Sequence, residues 1–139
     1  MLAIPHPQPP VTVMRFILVF CAALLALPAQ ASSFSANEIR SEIIGKTIYL
    51  ATPFGGEFPL NYRSSGRVDG DGEALGLGRF VQPEDEGRWW IDGNRLCQQF
   101  ENWYEGQPMC FDLTRTGANT LNWVRDNGET GTARIGSAL

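Results

Sequence analysis

The sequence predicts an all-β fold: an antiparallel meander of about eight strands curled into a small barrel or half-barrel, with one short N-terminal helix and one disulfide. Three observations carry this. After Gly45 the chain reads as short apolar-polar alternating runs, separated at even spacing by Gly, Asp and Asn clusters such as "PFGG", "DGN", "RTGAN" and "RDNGE". That is the pattern of hairpins, not of βαβ units. Before Gly45 a single stretch carries matched helix start and stop signals, and two cysteines, Cys97 and Cys110, remain once an N-terminal leader is set aside.

The leader comes first. From Met14 the chain reads "MRFILVFCAALLALPAQA", with a charge at Arg15, an apolar run from Phe16 to Leu27 and a small-x-small ending at Ala29-Gln30-Ala31. This is the layout of a secretory signal, with cleavage expected after Ala31. The run is too short to span a bilayer comfortably, so no stable membrane span is expected after cleavage. Residues 1–13 are Pro-rich and unlike a basic start region, which points to translation beginning at Met14. Cys21 follows Phe20 inside the apolar run and not a small residue at its end, which argues against a lipid anchor. The expected organisation is a signal peptide over 1–31 and a single β domain over 32–139, exported to the periplasm or secreted.

In the mature part, "SSFSANEIRSEIIGK" places Ser35 as N-cap with Glu38 three residues on and Gly45 as the stop, with Ile39, Ile43 and Ile44 on one face. Strands are expected over 46–51, 57–63, 73–81, 88–92, 95–100, 108–114, 120–124 and 130–135, with "SSGRVDGDG" and "PEDEG" read as turn and loop. If Asp92-Gly93 forms a two-residue type I′ turn, Trp90 faces Arg95 and Trp89 faces Leu96. If Cys97 and Cys110 are directly opposed on the next hairpin, Leu96 faces Phe111 and Arg95 faces Asp112. One face then collects Trp89, Ile91, Leu96, Phe100, Met109, Phe111 and Leu113, evidently a core. The other collects Arg88, Trp90, Arg95, Asp112 and the disulfide, with Trp90 stacked on Arg95. Trp123 and Leu121 share the inner face of the penultimate strand and, in a wide enough barrel, line a small apolar cavity.

Composition excludes several chemistries. Without Arg15 there are ten basic residues, nine Arg and Lys46, against fifteen acidic, so nucleic acid is not an expected partner. The sole histidine, His6, precedes the leader's cleavage point, leaving no imidazole for a triad or a His-ligated metal. Two cysteines with twelve residues between them form neither a zinc set nor a C-x-x-C redox pair, and in an exported chain they read as a structural bridge. "VDGDGE" resembles the start of a calcium loop but lacks the later bidentate acid. "PEDEG" offers adjacent solvated acids, not two carboxylates of divergent environment across a cleft. No cofactor and no metal are implied.

The loop "ENWYEGQP" is the strongest contact candidate: Trp103 and Tyr104 stand beside Glu101 and Glu105 at a loop tip, equipment suited to sugar faces or protein hot spots. The alternative is that one ring folds back to cap a barrel end. Expected binding residues are therefore Trp90, Arg95, Glu101, Trp103, Tyr104 and Glu105.

The run from Gly87 to Ile135, "GRWWIDGNRLC…MCF…ARI", resembles a group of small exported proteobacterial proteins with a G-x-W-x-x-D-G turn, a cysteine soon after and a second about a dozen residues later. The resemblance covers under half of the mature chain, implies no established activity and transfers no catalytic residues. Some of these proteins carry the label dihydrodipicolinate reductase. The present chain lacks the G-x-G-x-x-G strand-to-helix turn and the length that such an enzyme requires, and "GLG" at 76–78 is only a strand-like pattern.

The expected function is a non-enzymatic binding module for an envelope protein, a glycan or a small apolar ligand. Inhibition of a basic enzyme such as lysozyme is one version by analogy. Two rivals are an envelope-glycan enzyme using carboxylates such as Glu84, Glu86 or Glu101, and a purely structural envelope protein.

Overall fold

The computed structural model describes residues 2–10, 31–53, 55–72 and 83–139. Most of the leader and the expected strand 73–81 lie outside the described residues. Among the described residues the strands are β1 (Ser32–Ser33), β2 (Lys46–Ala51), β3 (Glu57–Tyr62), β4 (Arg67–Asp71), β5 (Glu84–Asp92), β6 (Arg95–Phe100), β7 (Met109–Arg115), β8 (Thr120–Arg125) and β9 (Thr130–Ala138). From β2 to β9 each strand pairs antiparallel with the next, and β9 returns to pair with β2. The result is a closed eight-stranded meander, which leaves no open sheet edge in the ring. β1 adds to the outer end of β7, with Ser32 opposite Arg115.

The helical segment corks one end of this barrel. Ser35 Oγ accepts from the Glu38 amide at 3.2 Å, and Glu38 Oε1 accepts from the Ser35 amide at 3.5 Å, the reciprocal cap expected from sequence. Helix α1 (Ala36–Glu38) widens at once into a π turn over Ile39–Ile43, closed by the Ile44 amide on the Ile39 carbonyl at 3.1 Å. The wider turn points both Ile39 and Ile43 into the core, where they lie with Phe34 fully buried. Arg115 fastens the cork by pairing with Glu42 and, at 3.6 Å, with Glu38.

Three local expectations are corrected. The strand β4 occupies Arg67–Asp71, read from sequence as a turn; its inward positions are Val68 and Gly70. Gly70 is needed because a Cβ there would fall 2.8 Å from Leu60 Cδ2 and 2.9 Å from Trp103 Cζ3. The acidic stretch from Glu84 is the first half of β5, not a loop. The β5–β6 hairpin turns on Gly93-Asn94, so that Asp92 faces Arg95, Trp90 faces Cys97 and Trp89 faces Gln98. Gly93 has φ of 60° while Asn94 is not left-handed, the type II′ pattern. Asn94 Oδ1 is thereby presented to the first helical amide, Ala36 N, at 3.0 Å. The pairing moves by one residue on each strand, so every side chain keeps its face.

The inner face therefore holds the expected set. Leu96, Phe100, Met109 and Leu113 are buried, and Trp89, Ile91 and Phe111 pack against them. On the outer face Cys97 and Cys110 are directly opposed and bonded, with Cα atoms 4.0 Å apart.

Candidate functional site

At the opposite end of the barrel the 101–108 loop and the β8–β9 turn bring Tyr104, Arg125 and Glu129 to the edge of the interior. Phe100 ends β6, and the chain then makes a tight turn over Trp103–Gly106. Tyr104, Glu105 and Gly106 are all left-handed, with φ of 55°, 57° and 65°. For the two non-glycine residues this conformation costs roughly 1 kcal/mol each, so other groups must hold it. Gln99 Nε2 donates to the Gly106 carbonyl at 2.8 Å. Asp85, only 6% exposed on the inner side of β5, accepts from Asn102 N at 2.9 Å, Trp103 N at 2.7 Å and Asn102 Nδ2 at 3.1 Å. A buried carboxylate with three donors is the fixed post to which this loop is tied.

Trp103, expected at the loop tip, instead folds back over the barrel end. Its ring meets Phe100 at 5.1 Å and, edge-on, Phe58 at 5.4 Å between centroids, and it lies on Gly70. Tyr104 remains 54% exposed and stands over the other half of the opening, with the Arg125 guanidinium 5.6 Å from its ring. Burial raises the Tyr104 phenol above its ordinary value; Arg125 works against this and Glu129 with it. Glu101 and Glu105 are both exposed. Glu101 borders an outer groove with Asp69, Asp71, Glu84, Asp85, Glu86, Arg63 and Arg67. Asp69 is engaged by Arg63 at 2.5 Å, Glu86 by Arg67, and Asp85 by the loop.

Trp90 and Arg95 do not form the expected pair. Arg88 lies over the Trp90 ring at 4.5 Å, and Arg95 reaches Asp92 at 3.5 Å, because the shifted hairpin sets Trp90 opposite Cys97. Of the six expected binding residues, the structure brings Tyr104 to an opening, places Trp103 in the packing and leaves the other four apart on the surface.

Beneath Tyr104 lies a cavity of about 70 Å³. Its walls are mostly apolar, among them Ile48, Leu60, Leu96, Met109, Leu121 and Ala133, with Ile43 of the cork as its floor and Arg125 and Glu129 at its rim. Leu121 and Trp123 lie on its wall, as the alternation in "TLNWVR" predicts, and two residues further the same inner face reaches Arg125. Inside, Tyr62 Oη donates to Gln98 Oε1 at 2.5 Å, a fully buried polar pair. Burial, with a smaller contribution from Tyr104, pushes the Tyr62 phenol well up, so it stays protonated and remains a donor. Arg125 is 16% exposed; its Nη1 meets Glu129 at 3.2 Å and its Nε lies 3.9 Å from Asp126. Arg125 Nε and Trp123 Nε1 are buried without a hydrogen-bond partner among the described residues.

The sequence reading missed Gln98, Tyr62, Arg125 and Glu129. The signal for the first three was the same period-two count that found the core, extended to polar residues. Among the described residues no group of three or more His, Cys, Asp or Glu side chains could hold a metal ion, and no helix is long and apolar enough to cross a membrane. Comparison with protein-family models, with curated proteins and with solved structures gives no match.

Proposed function

We propose that the protein is an exported, non-enzymatic binding module that holds a small, largely apolar molecule inside its barrel. The observation that carries this reading is the apolar cavity with a single polar rim at Tyr104, Arg125 and Glu129. Small-molecule sites are concave, mostly apolar and equipped with a few polar groups that orient the ligand. The loop alternative, a protein or glycan held by Trp103, has less support because that ring contributes to the barrel's own packing. Export is supported by the leader's layout and by the disulfide, which suits an oxidising compartment.

The reading is tested by native mass spectrometry of the protein recovered from the cells that make it. Ala133→Leu, which projects three more carbons from the cavity wall, serves as the filled control. A bound small molecule in the wild type and none in a folded Ala133→Leu variant is the expected result. Absence of any bound mass in the wild type, or equal occupancy in both, would refute it.

A further inference from the structure

The chemical class of the ligand can be drawn from which polar atoms at the cavity lack hydrogen-bond partners. This inference rests on the reading of the barrel interior as a binding site. The two buried side-chain atoms without a hydrogen-bond partner among the described residues, Arg125 Nε and Trp123 Nε1, are donors, and both belong to cavity-lining residues two apart on the inner face of β8; the acid nearest Nε, Asp126, stands 3.9 Å away, beyond hydrogen-bond reach. Buried donors are normally satisfied, so a ligand that completes this site brings acceptor oxygens. Glu129 occupies Nη1 of the guanidinium, whereas Nε belongs to the side-on edge that receives a carboxylate through two parallel hydrogen bonds.

Below the rim the walls offer no charge. The polar pair within, Tyr62 and Gln98, is satisfied by its own 2.5 Å hydrogen bond. The cavity of about 70 Å³ is several times the roughly 10–15 Å³ that admits one water-sized probe. It therefore suits a chain of a few carbons and not a long acyl tail or a sugar.

We infer that the barrel takes a short-chain monocarboxylate, its chain lying among Ile48, Leu60, Leu96, Met109 and Leu121 and its carboxylate on the Nε edge of Arg125 beside the Trp123 indole. Glu129 at Nη1 and Asp126, 3.9 Å from Nε, share the guanidinium and are built-in competitors whose negative charge weakens the bound state.

The test titrates the full mature chain, disulfide intact, with butyrate and separately with 1-butanol at neutral pH. Cavity methyl groups and the Trp123 indole N–H are followed by NMR. A hydrogen bond to a charged group is worth about tenfold or more in affinity, so butyrate should bind at least tenfold more tightly than 1-butanol and move the indole resonance further. Arg125→Gln should bring butyrate down to the level of 1-butanol, and Glu129→Gln should tighten butyrate severalfold. Equal binding of the two probes by the wild type overturns the carboxylate assignment while leaving the cavity a binding site. No response of the cavity methyl groups to either probe overturns both. The wild-type comparison decides the matter even if Arg125→Gln fails to fold.

Discussion

Replacing Asp85 by Asn tests how the barrel mouth is held together. The substitution is nearly isosteric, but it exchanges an acceptor with two oxygens for a group with one oxygen and an NH2. Asp85 now receives three donors, two of them the backbone amides of Asn102 and Trp103. In Asp85→Asn the new oxygen can still accept both backbone amides, and the Asn102 side-chain amide can turn its Oδ1 to the new NH2, but every bond loses its charged acceptor in a site where the side chain is almost wholly enclosed. Hydrogen bonds to a charged group contribute about 1.5–3 kcal/mol each, and they do not add fully. Turning three charged hydrogen bonds into neutral ones, at roughly 1 kcal/mol each, gives a cost of about 3 kcal/mol. For a domain of this size that lowers the melting temperature by roughly 12 °C, at about 4 °C per kcal/mol. Thermal melts followed by circular dichroism measure the cost. Amide hydrogen exchange at Asn102 and Trp103 shows whether it is spent at the loop. A variant within about 0.5 kcal/mol of wild type, with both amides still protected, would refute the tether, since that is the range for an ordinary surface substitution.

The remaining predictions concern the staple, the outer face and the folded-back tryptophan. Reducing the Cys97–Cys110 bridge, which spans a sequence separation of 13, should cost about 3 kcal/mol by the loop-entropy relation; a melting temperature that does not move on reduction would contradict it. Trp103→Ala should destabilise by about 3 kcal/mol, since the ring fills space against Phe58, Phe100 and Gly70, whereas a loop-tip residue would leave urea midpoints unchanged. The hydrogen bond from Arg63, with help from Asn61 and against the effect of burial, holds the Asp69 carboxyl below its ordinary range. Its folded-state pKa thus lies below its unfolded value, so its stabilisation is present above roughly pH 4 and is lost as pH falls through the folded value. Urea midpoints at pH 6 and pH 3 should converge between wild type and Asp69→Asn on the acid side; parallel curves would show that the pair contributes nothing.

Most of the barrel was legible because its strands obey a strict period of two. β2, β6 and β8 carry mostly aliphatic and aromatic residues inward, with Gln98 and Arg125 the polar exceptions, and turn sequences rich in Gly, Asp and Asn separate many of the strands. β4 was hidden by its own composition. Its inward positions are Val68 and Gly70, and a glycine there reads as a turn until Trp103, more than thirty positions later in the chain, is known to lie on it. The start of β5 was hidden for a related reason: Glu84 and Glu86 face outward, and inward-facing Asp85 is made compatible with burial only by donors from the 101–106 loop. No local pattern announces such a partner. The hairpin register slipped because both Asp92-Gly93 and Gly93-Asn94 satisfy a two-residue turn, and the choice depends on a distant acceptor need, the Ala36 amide met by Asn94. At the candidate site, Leu121 and Trp123 followed from alternation. Arg125 would have followed from the same count, but a charged residue on a core face is discounted until a barrel end and its rim are visible.

Diffraction from crystals under xenon pressure shows whether the barrel interior has room for a ligand, because apolar cavities of suitable size take up this atom. Xenon should lie inside the barrel, bounded by Ile48, Leu60, Leu96, Met109 and Leu121, and should be lost in Ala133→Leu. Wild-type crystals with xenon at surface sites and none within the barrel would contradict the account.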